Sequence, residues 1–95
     1  MTDKQKILIA DNDAETSAAL LSILKAKDFD VLKANDAAFV LTMALRNKPD
    51  AVVLGAGLPA GGSLQALRRL RGSVHTADIP VIGLSLEGSA KQELL

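Results

Sequence analysis

The sequence predicts an α/β domain built on a parallel sheet. Three observations carry that expectation. Short runs of continuous apolar residues recur along the chain, as in strands buried on both faces. Each run is followed by a stretch whose apolar residues fall at helical spacing. The order that results is β-α-β-α-β-α-β, which implies right-handed crossovers and helices on both faces of the sheet. With 95 residues, the chain holds one domain.

The first strand is Lys6-Ile7-Leu8-Ile9-Ala10, ended by Asp11-Asn12-Asp13. Those residues supply helix-capping oxygens and negative charge at the positive end of the helix that follows. In that helix Thr16, Leu20, Ile23, Leu24 and Lys27 fall on one stripe. Asp30 to Ala34 form the second strand. Asn35-Asp36 cap a second helix from Ala37 to Asn47, and Pro49-Asp50 stop it. Ala51-Val52-Val53-Leu54 form the third strand. A loop with four glycines and one proline runs from Gly55 to Gly62. Ser63 opens a third helix, Leu64 to Arg71, with Leu64, Leu67 and Leu70 three apart. Gly72-Ser73 end it. The fourth strand is read from Ile79 to Leu86, with Pro80 near its start, where a missing N–H is tolerable.

Composition excludes several function classes. Eleven basic residues balance eleven acidic ones, so bulk charge does not draw this domain to nucleic acid. Phe29 and Phe39 are the only aromatic residues, too few for a base-stacking platform. With no cysteine there is no disulfide, thiolate metal site or thiol nucleophile. No run reaches the roughly 18 apolar residues of a membrane span, and the apolar run after Lys6 is too short for a secretory signal. The expectation is a cytoplasmic domain with no membrane partner.

In such sheets ligands sit beyond the carboxyl ends of the strands, near the point where strand order reverses. Asp11-Asn12-Asp13, Gly55-Ala56-Gly57 and Ser85 fall there. Four blocks, Lys6 to Asp13, Pro49 to Leu54, Leu58-Pro59 and Ile79 to Ser85, together resemble the receiver domain of bacterial two-component response regulators. The resemblance runs over nearly the whole chain and lies in the set and its order. It implies a flavodoxin-like (CheY-like) three-layer αβα fold, here four strands in the order 2-1-3-4.

The resemblance also implies a chemistry, and this sequence departs from it. A receiver takes a phosphoryl group on a carboxylate after the third strand; that position is Gly55, which has no side chain. Two acidic residues after the first strand hold Mg2+; Asp11 remains, but Asn12 is an amide, a neutral and weaker ligand. The hydroxyl position after the fourth strand survives as Ser85. The phosphate-binding lysine belongs at the end of a fifth strand, and Lys91 is too close to Ser85 to fill that role. Gly62 and Ser63 stand where the family has an acidic residue and then glycine. Asp11, Asn12, Gly55, Gly57 and Ser85 therefore form a degenerate phosphorylation pocket, with no cofactor and Mg2+ binding lost or weak.

The reading is a pseudo-receiver, not an enzyme, that signals by protein–protein contact without phosphorylation. Two alternatives stay open. A substitute carboxylate, Asp11 or Asp13, would take the phosphoryl group, although capping accounts for Asp13. Or the pocket around Gly55 and Ser85 would serve a small molecule or nucleotide; the glycine loop lacks a G-x-G-x-x-G pattern and follows the third strand, not the first. His75 is read as a surface residue, and Arg68, Arg69 and Arg71 as a solvated basic group.

Interaction surfaces complete the expectation. The second helix is apolar over more than one face, and Phe39 is its expected exposed residue. The resemblance implies a fifth strand and fifth helix, which residues 1–95 do not supply. Val81, Leu84 and Leu86 then lie on an apolar edge strand, which natural sheets blunt or cover. Leaving about 300 Å2 of apolar surface open forgoes on the order of 7 kcal/mol of burial. A homodimer, or an adjacent output domain, is the expected cover.

Overall fold

The computed structural model describes residues 4–55, 58 and 62–83. Its elements run β1 (Lys6–Ala10), α1 (Ala14–Ala26), β2 (Asp30–Ala34), α2 (Ala37–Asn47), β3 (Ala51–Leu54), α3 (Gly62–Arg71) and β4 (Val81–Gly83). The sheet is parallel throughout, in the order β2-β1-β3-β4. The α/β class and the strand order are those the sequence predicts.

Helix ends follow local chemistry. Asp13 caps α1 and Asp36 caps α2, the latter accepting from the Phe39 N–H at 2.8 Å. After α1 the chain turns through Asp28 in the left-handed region, with Phe29 N–H reaching back to the Leu24 carbonyl at 3.0 Å. After α2, Lys48 takes the same left-handed conformation at φ 48°, and Pro49 then bars further helix. Asp50 closes the turn onto β1, its carboxyl accepting from the Lys6 N–H at 2.7 Å.

Alternation along the strands divides the core. Leu8, Ala10, Ala34, Val52 and Leu54 face α2 and α3 and pack with Val40, Ala44, Ala66 and Leu70. Ile7, Ile9 and Val53 point to the opposite face and are also buried. Register places Ile82 beside Val53 on that second face, yet Ile82 is 54% exposed.

The structure corrects the sequence reading at several places. On α1 the inward stripe is Ser17, buried, with Leu20, Leu21 and Leu24 half-buried, and Ile23 faces out at 55% exposure. Thr16, Leu20 and Leu24 of the stripe read from the sequence are half-buried, while Ile23 and Lys27 are exposed; a helix turns about 100° per residue, so one position decides the side. On α3, Ser63, Ala66 and Leu70 are inward, Leu67 is half-buried and Leu64 is exposed. The described part of β4 begins at Val81, because Pro80 precedes it and offers only its carbonyl, to Val52 N–H at 2.9 Å. Arg68, Arg69 and Arg71 are exposed, as read, but Arg71 also has a structural role. Its guanidinium donates to the carbonyls of Ala77 and Ile79, both at 2.8 Å, and fastens the loop before β4. Buried Thr76 helps, donating to the Leu70 carbonyl at 2.6 Å. The reading of positions 84–86 as strand lies outside the described residues.

Two stability effects are expected. Leu8→Ala removes a fully buried side chain at the centre of the sheet and costs about 2–5 kcal/mol, read from the urea midpoint. Lys48→Gly relieves a side chain from the left-handed region and raises stability by about 0.5–1 kcal/mol in the same assay.

Candidate functional site

Strands β1 and β3 are neighbours, and their following helices leave toward opposite faces. The crevice between their carboxyl ends is the switch point of the sheet. The ladder continues one residue past the strands: Gly55 N–H donates to the Ala10 carbonyl at 2.7 Å, and Asp11 N–H to the Ala34 carbonyl at 3.2 Å. Asp11 and Gly55 therefore lie side by side in the crevice.

Their contact is unusually close. A Cβ on residue 55 would stand 2.3 Å from both Cγ and Oδ2 of Asp11, and 2.8 Å from its Cβ. The Asp11 carboxyl group thus occupies the space that a side chain at position 55 would need. Asp11 is only 5% exposed, and its Oδ1 accepts the backbone N–H of Asp13 at 2.9 Å. On the other side, buried Ser63 donates its hydroxyl to the Gly55 carbonyl. Among the described residues no buried side-chain polar atom lacks a partner.

Asp13 does a different job. It accepts from the Thr16 N–H at 3.3 Å and from the Thr16 hydroxyl. These two bonds, the hydroxyl's first, hold its carboxyl below the ordinary aspartate pKa. Asn12 points to solvent.

The sequence-derived residues are thus partly gathered. Asp11 and Gly55 meet directly, while Asn12 stands outside their contact. Gly57, Leu84, Ser85 and Leu86 lie outside the described residues. Phe39 is 44% exposed on α2, and Val81 is half-buried against the α2–α3 side of the core. Ser63 entered the sequence reading as a helix opener and as a departure from the family pattern, with no signal for its bond to Gly55. The sequence reading placed Asp11 and Gly55 in one pocket, but nothing in the pattern signalled that the Asp11 side chain fills the space at position 55.

The donor set bears on a divalent cation. Mg2+ is held through carboxylates and other hard oxygens in near-octahedral geometry. The described crevice offers one carboxyl group, already engaged with Asp13, and an outward amide. Among the described residues no group of three or more His, Cys, Asp or Glu side chains converges. These residues do not fit such an ion. Nor, among the described residues, is any helix long and apolar enough to cross a membrane.

No family model matches the chain. It is 33% identical over 84 residues to the transcriptional regulatory protein PrrA of Mycobacterium tuberculosis, covering 88% of this chain and 35% of that protein. The chain spans about a third of the length of the first curated relatives it matches, PrrA of two mycobacteria. Among solved structures, a response regulator from Desulfuromonas acetoxidans superposes with a TM-score of 0.80 at 28% identity, over 95% of this chain and 73% of that one. The chemotaxis protein CheY4 of Vibrio cholerae superposes with a TM-score of 0.86 at 17% identity, over 97% and 77%.

The Asp13 cap carries a pH signature. A carboxyl whose folded pKa is depressed stabilises the fold above its unfolded value, 3.8, and loses that contribution as pH falls through the folded one. In Thr16→Val, the Asp13 titration followed by NMR moves upward toward 3.8, and the acid limb of the stability curve flattens.

Proposed function

Because the chain has the receiver fold of CheY-like proteins and response regulators are its homologues, we propose that this two-component receiver domain acts without phosphorylation, through protein–protein contact. One observation carries the reading. The position expected to accept the phosphoryl group is Gly55, and the carboxyl group of Asp11 fills the space beside it. An acyl phosphate needs a carboxyl oxygen on the acceptor, which glycine lacks. The domain is then a signalling module and not an enzyme, with Mg2+ binding lost or weak. It acts in the cytoplasm on other signalling proteins or an adjoining output domain and contacts neither nucleic acid nor membrane itself.

A second reading has one observation in its favour. Asp11 places a carboxyl group beside the acceptor position and would itself take a phosphoryl group. Its burial and its bond to Asp13 N–H count against this, because an acceptor oxygen must be open to the donor. Asp13 is held by Thr16 as a helix cap and is the weaker substitute.

Incubation with acetyl phosphate and Mg2+, followed by intact mass, separates the two. The expected result is an unchanged mass. A stoichiometric gain of one phosphoryl group, mapped to Asp11 or Asp13, establishes the second reading and overturns the first.

The contact itself is read as homodimeric. Ile82 on β4 and Ile23 on α1 are each more than half exposed, and apolar side chains at this exposure gain from burial against a second copy. Light scattering across a dilution series is expected to show a dimer at tens of micromolar that dissociates on dilution. A single monomer mass throughout removes this part of the proposal.

A further inference from the structure

The close approach of Asp11 to Gly55 has a consequence for both residues. We infer that Asp11 and Gly55 form a steric pair: the phosphoryl pocket is plugged from the β1 side by the Asp11 side chain, and the plug holds only while position 55 is glycine. This rests on Gly55 as the acceptor position, and it adds that the loss there is not a single-residue loss. Asp11 is the positioning residue that took over the space.

Five observations converge on the pair. A Cβ at residue 55 would meet Asp11 Cγ and Oδ2 at 2.3 Å, well inside any normal contact, and Asp11 Cβ at 2.8 Å. The last of these matters most, because a Cβ follows the backbone and does not swing away with χ rotation. The backbones themselves are fixed. Gly55 N–H is bonded to Ala10, the residue before Asp11, and Asp11 N–H to Ala34, so neither strand end can retreat without breaking the ladder. The Asp11 carboxyl is anchored to Asp13 N–H, at the start of α1. On its far side Gly55 is held by Ser63, the second residue of α3. Gly55 carries no positive φ, so its conformation is open to any residue and the requirement for glycine is one of space alone. The pair therefore joins the start of α1 to the start of α3 through the crevice. An aspartate restored at position 55 alone would meet the plug, and a receiver pocket is regained only by changing both residues.

The test is a double-mutant cycle in thermal unfolding, followed by circular dichroism. Gly55→Ala is expected to lower the midpoint by about 5–20 °C, the range for forcing one extra carbon into a packed site of a small domain. Asp11→Gly/Gly55→Ala is expected to melt several degrees above Gly55→Ala, because Cβ, Cγ and Oδ2 of residue 11 are all removed and the clash is gone. Asp11→Asn keeps the shape of the side chain, so Asp11→Asn/Gly55→Ala is expected to show no such recovery. Should Gly55→Ala not fold, a folded Asp11→Gly/Gly55→Ala supports the pair and an unfolded one overturns it. A Gly55→Ala midpoint equal to the parent's, a double variant melting no higher than Gly55→Ala, or equal recovery with asparagine each overturns the steric pair. Because unfolding is read and not phosphorylation, this outcome is independent of the acetyl phosphate measurement.

Discussion

The parallel pairing of β1 with β3 is the constraint on which the rest depends. It sets Ile7 to Ala10 against Ala51 to Leu54 in register, and the ladder runs on to bring Asp11 beside Gly55. Had the register slipped by one residue, the buried Leu8 and Val52 would exchange faces with Ile9 and Val53. Both faces of these two strands are apolar, so burial alone does not exclude the slip. Asp50 does, by bonding its carboxyl and its N–H to the backbone of Lys6 at the opposite end. The crevice geometry is thereby fixed from the far edge of the sheet.

The two faces of the sheet are unequally covered. One side packs Leu8, Val52 and Leu54 under α2 and α3 in a continuous apolar cluster. On the other side Ile7, Ile9 and Val53 are buried, while Ile82 stays exposed. Polar fastenings support the better-covered side, where Arg71 and Thr76 donate to loop and helix-end carbonyls. Arg71 shows how an arginine in a basic run can be structural: the guanidinium fork satisfies two carbonyls at once.

At the crevice, chemistry and packing give the same answer by different routes. Glycine at position 55 removes the acceptor oxygen, and the same glycine makes room for Asp11. The acidic residue that the receiver pattern assigns to cation binding is redirected to a backbone N–H.

The sequence by itself determined the α/β class and nearly every element boundary, while the strand order came with the resemblance to receiver domains. Apolar runs, aspartate caps and Pro49 act through neighbours within a few residues, and such signals are written in the chain. It also determined that position 55 has no carboxyl group, since that is a matter of composition at one place. Helix faces were less legible. Ile23 and Leu64 read as inward, but one residue of offset turns a stripe by 100°, and only packing against the sheet selects the side. The tertiary structure alone decided what fills the space at Gly55, because Asp11 and Gly55 are 44 residues apart and meet only through the register of two strands. A contact of 2.3 Å to an atom that glycine does not have leaves no trace in pattern or periodicity.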